Sequence, residues 1–286
     1  MAVAPNLEIA GSVMSTPMSE LPTNPFDPPS SEIGQLGDVG VSKLAQTGAG
    51  PRPWGPWATL GLTFLCAVLL FAIQVAVLLV FMLIRVVRGA EPKFDDVASN
   101  GNVVAVGTMA SAAAIVGLVA LLVHLRRYPI RDYLALIWPP ARSALIAFAG
   151  LAVVLFSSDL LSYMLGRPLV PDVMVDLYRM AWLPGLLPAL VAFAPIGEET
   201  LFRGFLFKGI AASRAGPIAA IIISAIAWAP LHVQYDWYGV GTIAVMGLFL
   251  GVVRHATGSL YLTMLLHAVA NAVATLEIVI KEHWLR

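Results

Sequence analysis

Residues 57–84 read WATLGLTFLCAVLLFAIQVAVLLVFMLI, 28 positions without a charged residue and with only Thr59, Thr63 and Gln74 as polar side chains. About 20 apolar residues suffice to cross a bilayer as a helix. The stretch is therefore a membrane span, closed by Arg85 and Arg88. Working outward, Val103–Val123 is a second span, stopped by His124, Arg126 and Arg127, and Ser143–Leu165 is a third, with Asp159 inside it. Leu186–Ala212 is apolar but holds Glu198, Glu199 and Arg203. Pro217–His232, Gly239–Val253 and Leu260–Ile280 complete the set, the first two of these being short for a bilayer. The expected fold is all-α: a polytopic transmembrane helix bundle of about seven spans, six to eight in range, over residues 57–286. Pro171–Trp182, with Asp172, Asp176 and Arg179, reads as an interfacial helix or part of an eighth span.

Composition agrees. Hydrophobic types make up 59% and charged types 12%, against about 25% charged in soluble globular chains. The mean hydropathy is +0.83. This excludes a soluble globular protein and a nucleic-acid binder working through a basic surface. Cys66 is the single cysteine, so neither an intrachain disulfide nor a cysteine zinc cluster can form.

Residues 1–56 differ from the rest. Nine of the 20 prolines lie there, between Pro5 and Pro56, and no helical period persists. This stretch reads as a disordered, Pro-rich tail. No basic region follows Met1, so it does not read as a signal peptide. Nine Lys and Arg residues fall on the side of the N-terminus, Arg254 and Arg126 among them, and seven on the other. The positive-inside rule then places the N-terminus in the cytoplasm. The Ala-, Val- and Gly-rich composition suits a bacterial plasma membrane. No fixed-period repeat points to an inverted-repeat transporter.

A charge at membrane depth costs about 2.5–3.5 kcal/mol on insertion scales, so three within six residues need a reason. Glu199 and Arg203 stand four apart, acid first, and share a helix face as an ion pair. Glu198 is turned about 100° from Glu199 and lacks that partner. A buried carboxylate of this kind suits general-base work. His232 ends the fifth span, four residues after Trp228, and His267 and Asn271 lie four apart in the last span. An amide facing lipid would be left unsatisfied, so His267 and Asn271 are expected to point inward with Glu198 and His232. Taken singly each feature has a plainer meaning: an ion pair, a packed histidine, an Asn as helix–helix glue, and Gly247 with Gly251 as a close-packing pair. Their conjunction carries the argument.

In order, Glu198-Glu199-Thr200-Leu201-Phe202-Arg203, Trp228-Ala229-Pro230-Leu231-His232 and His267-Ala268-Val269-Ala270-Asn271 resemble the three motifs of the CPBP intramembrane protease family. That family includes the type II CAAX prenyl endopeptidases and bacteriocin self-immunity proteins. The resemblance covers residues 185–274. Trp228 departs from the family's usual Phe, an exchange of one aromatic for another expected to change little.

The resemblance implies an intramembrane metalloendopeptidase. Glu198 would activate water and His232 would hold it, while His267 and Asn271 would stabilise the oxyanion. Glu199 and Arg203 would brace the first-motif helix. A zinc ion is left open: Glu198, His232 and His267 are ligand types for a three-ligand site, but no His-Glu-x-x-His is present. The implied substrate is a prenylated protein or another membrane-proximal peptide. The alternatives are a non-catalytic immunity or scaffold protein, whose polar cluster only joins helices, and, with least support, a carrier.

Overall fold

The computed structural model describes residues 51–91, 93, 94, 97 and 100–284. The tail reading over residues 1–56 therefore falls, up to residue 50, outside the described residues. The described chain is helical and holds no strand. Its elements are α1 (Pro56–Val87), α2 (Gly101–Leu125), α3 (Ile130–Leu134), α4 (Ala141–Met164), α5 (Asp172–Arg179), α6 (Leu183–Ala211), α7 (Gly216–Trp228), α8 (Trp237–Thr257) and α9 (Leu260–Trp284). Six of them, α1, α2, α4, α6, α8 and α9, are long and apolar enough to cross a membrane. The short apolar helix, continued by one 3₁₀ turn, spans Gly216–Leu231 and is the fifth segment expected from sequence. The sixth is not short: α8 extends the apolar core at both ends to 21 residues, about 30 Å.

Local signals account for the boundaries. Pro56 occupies the first turn of α1, where its missing N–H costs nothing. Asn100 caps α2 by accepting from the Asn102 backbone N–H at 2.9 Å. Asp236 caps α8 by accepting from the Gly239 N–H at 2.8 Å. Gly258 ends α8 at φ +63, a left-handed conformation that glycine enters without steric cost, and the chain turns directly into α9.

Helix α6 lies at the centre. Every residue of Thr200–Leu206 is buried, whereas α1 exposes Phe64, Leu65, Phe71 and Leu83 on its outer face. Exposed apolar side chains on an outer helix fit a hydrocarbon solvent, in which no hydrophobic force gathers helices and small residues permit close approach. A Cβ on Gly197 of α6 would stand 2.9 Å from the Ala112 Cα of α2. On α8, a Cβ on Gly251 would stand 3.1 Å from Ile221 Cγ2 of α7, and one on Gly247 would stand 3.1 Å from Ala225 Cβ. Gly247 and Gly251 are thus the α7–α8 packing seam.

The two ends of the bundle are each tied together. At one end, Arg126 Nε donates to the Arg52 carbonyl at 3.2 Å, and Trp54 Nε1 donates to the Leu122 carbonyl at 3.0 Å. The Leu260 N–H bonds the Ala135 carbonyl at 3.0 Å there. At the other end, Arg179 makes a bidentate pair with Glu282, at 2.8 and 2.7 Å, and Lys281 Nζ donates to the Val170 carbonyl at 3.1 Å. Helix α5 is therefore docked on the end of α9, and with eight residues it is no part of an eighth span.

Candidate active site

Helix α6 is not a uniform α-helix. Two π-helical stretches, Ala189–Phe193 and Thr200–Leu206, flank a short α segment, Ala194–Glu199, that carries both glutamates. π turns recur at functional sites. One carbonyl of each stretch accepts from another helix. Asn271 Nδ2 of α9 donates to the Leu190 carbonyl at 2.8 Å. Arg254 Nε of α8 donates to the Arg203 carbonyl at 3.0 Å.

The Glu199–Arg203 pair forms as the spacing predicts. Arg203 Nη1 donates to Glu199 Oε1 at 3.0 Å, with both side chains fully buried. Arg203 Nη2 donates to the Gly247 carbonyl of α8 at 3.1 Å. The absence of a side chain at Gly247 makes room for that guanidinium, since a Cβ there would stand 3.1 Å from Arg203 Nη2. His267 Nδ1 lies 3.1 Å from the same Glu199 Oε1. A carboxylate only accepts, so Nδ1 is the donor, and in the neutral ring the lone pair is then at Nε2.

That Nε2 faces Glu198 Oε2 at 3.9 Å. Glu198 is 25% exposed, in contrast to buried Glu199. Its Oε2 accepts from Trp228 Nε1 at 2.5 Å. The Trp228 ring is the hub of the cluster. Arg203 lies 4.4 Å above it, and the His232 and His267 rings meet it edge-on at centroid distances of 5.0 and 5.2 Å. The exchange of Phe for Trp therefore does more than keep an aromatic: it adds a donor that phenylalanine lacks.

The structure thus joins Glu198, Glu199, Arg203, Trp228 and His267 by polar contacts. His232 reaches the group through the Trp228 ring. Asn271, one turn beyond His267, is engaged with Leu190 through one of its two amide hydrogens. The sequence places Arg254 among the cations between spans. It is instead buried, 6% exposed, with its guanidinium 5.3 Å over Phe207. It sits one turn inside the end of α8, and the position of a cation three residues before Thr257 gave no sign of burial. The Gly247 carbonyl carries no side-chain signal at all.

Among the described residues, no three His, Cys, Asp or Glu side chains form a metal-holding group. The three zinc ligand types named by the resemblance fall short of a set: Glu198 and His267 face each other, while His232 makes no polar contact with either.

A family model described as type II CAAX prenyl endopeptidase Rce1-like matches residues 180–273. The matched third of the chain contains all three motifs and agrees with the CPBP resemblance. No curated protein and no solved structure shows a significant match.

Proposed function

We propose, from the premise that this multi-pass membrane chain is Rce1-like across residues 180–273, that it is an endopeptidase cleaving a membrane-associated peptide with a water activated by Glu198. The observation that carries the reading is the facing pair, Glu198 Oε2 and His267 Nε2, 3.9 Å apart. That distance is too long for a direct hydrogen bond. It suits one water oxygen donating a hydrogen to each acceptor, which leaves its lone pairs free for a carbonyl carbon.

In the step we propose, the water oxygen bonds to the scissile carbonyl carbon and its proton passes to Glu198. The tetrahedral adduct then collapses, the C–N bond breaks, and Glu198 returns the proton to the departing amine. His267 holds the water through Nε2, fixed in that tautomer by Glu199. Arg203 pairs with Glu199 in its buried position. Asn271 retains one amide hydrogen for the oxyanion, and His232 borders the site across Trp228. The substrate class is a CAAX-type prenylated peptide or another membrane-proximal peptide.

The test is to purify the chain with Glu198→Gln beside the wild type and search co-reconstituted membrane peptides for new termini. New termini with wild type alone support the reading, and identical products from both contradict it. A second reading, a non-catalytic immunity or scaffold protein, draws on the Glu199–Arg203–Gly247 and Glu199–His267 contacts, which join α6, α8 and α9 without any reaction. It requires that Glu198→Gln keep the full phenotype in the host.

A further inference from the structure

The two ends of the bundle differ in charge far more than a count of Lys and Arg suggests. One end comprises residues 51–55, 124–142, 208–216 and 255–259. It carries seven cations, Arg52, Arg126, Arg127, Arg131, Arg142, Lys208 and Arg214, and a single acid, Asp132. Contacts gather these segments: Arg126 bonds the Arg52 carbonyl, Lys208 Nζ lies 5.7 Å over the Tyr128 ring, and Ser259 Oγ bonds the Ile137 carbonyl. The other end comprises residues 85–91, 93, 94, 97, 100, 101, 165–182, 232–236 and 281–284, with six cations against five acids among these described residues. There the basic groups meet acids, as in Arg167 with Asp236, Arg179 with Glu282 and Lys281 with Asp172.

Within the basic end, the turn between α2 and α3 forms an open depression of about 600 Å³ lined by His124, Leu125, Arg127 and Tyr128. Arg127 holds a left-handed backbone there, φ 53. Arg126 is committed to Arg52 and to the Trp54 ring, 5.1 Å away. Arg127 and Arg131 are exposed, and the depression has both apolar and cationic walls at the level where the apolar helices end.

We infer that the α2–α3 turn, with Arg127, Arg131 and Lys208, is a binding site for the headgroup of an anionic phospholipid. A basic recess at the end of transmembrane helices, with an apolar wall to take the glycerol and first methylenes, matches the chemistry of a phosphate diester on acyl chains. The same asymmetry sets this end against the anionic leaflet. Arg127 and Arg131 supply charge-assisted hydrogen bonds to the phosphate oxygens, and Lys208 supplies a point charge beside Tyr128. The site is independent of peptidase activity.

The test is the full chain in detergent, titrated with phosphatidylglycerol, phosphatidylcholine or inorganic phosphate, with bound lipid counted by native mass spectrometry and thermal stability read in parallel. Each cation near an anionic surface is worth about fivefold in binding, so R127Q/R131Q/K208Q is expected to weaken phosphatidylglycerol binding by about a hundredfold. The matched triple at the other end, R85Q/R88Q/K93Q, is expected to change it by less than about threefold. Equal binding of phosphatidylglycerol and phosphatidylcholine by the wild type overturns the inference, and this comparison needs no variant to fold. Equal losses in the two triples overturn it as well. Protection by inorganic phosphate as strong as by the lipid would show a free-anion site and overturn the lipid assignment.

Discussion

The indole N–H of Trp228 donates to Glu198 Oε2 at 2.5 Å, from a ring that also carries Arg203 on its face and makes T-shaped contacts with two histidines. Trp228 is therefore a positioning residue for the carboxylate proposed as the base. A hydrogen bond to a charged group contributes about 1.5–3 kcal/mol. Trp228→Phe keeps the ring and removes only this donor. It is expected to lower kcat by about tenfold or more, with KM little changed. Steady-state cleavage with a melting curve on the same sample checks this, and a change confined to KM would place the role of Trp228 in binding.

Arg203 and Glu199 are both fully buried and paired. Removing one partner strands the other charge, at about 3–5 kcal/mol for a buried pair. Arg203→Met is expected to destabilise the bundle by that order. Arg203→Met with Glu199→Gln is expected to recover a substantial part of the stability, though no activity, because His267 loses its anchor. Thermal unfolding in detergent of the two single variants and the double variant measures the coupling.

A side chain at Gly247 would press within 3.1 Å of Ala225, Trp228 and Arg203 Nη2 together. Overpacking of this kind costs about 1–3 kcal/mol. Gly247→Ala is expected to reduce cleavage more than Gly241→Ala, where a Cβ meets open space. Comparable losses at both positions would show that glycine matters in α8 for another reason.

Burial pushes the Tyr133 hydroxyl up to about 12 from an ordinary value of 10.0, and that of Tyr235 likewise to about 12. Both lie between spans. A folded-state pKa above the unfolded one favours the neutral phenol, so the stabilisation is complete below about pH 10 and is lost as pH rises through 12. Alkaline unfolding in detergent is expected within that window, together with late ionisation of two tyrosines in an ultraviolet titration. Tyr133→Phe should remove part of the pH dependence.

The facing pair Glu198–His267 offers two ligands, one short of a catalytic zinc set. Cleavage by the purified chain is expected to survive exhaustive chelation with less than a twofold loss. Loss on chelation with recovery on added zinc would show that His232 joins the pair as a third ligand.

The spans were legible because hydropathy is a property of composition over about 20 residues and needs no tertiary information. The Glu199–Arg203 pair was legible because an i, i+4 contact is local. The spacing of His267 and Asn271 puts both on one face of α9, and both meet α6, at Glu199 and at Leu190. Three features were not legible. The π turns of α6 carry no local sequence signal, and their carbonyls at Arg203 and Leu190 accept from Arg254 of α8 and Asn271 of α9, contacts set by tertiary packing. The role of Trp228 depends on a contact 30 residues away, so the exchange for Phe looked conservative. Arg254 was counted with the loop cations because its burial comes from packing between helices rather than from its distance to the end of α8.

In the proposed reaction Glu198 activates the water that cleaves a membrane-associated peptide. The most direct measurement reconstitutes wild type and Glu198→Gln in liposomes with a farnesylated peptide ending in a CAAX sequence, alongside an unmodified transmembrane peptide, and follows products by mass spectrometry in ¹⁸O-labelled water. The expected result is a new C-terminus bearing the label with wild type and none with Glu198→Gln, at equal insertion and equal melting temperature. Equal labelled product from both proteins would contradict the account.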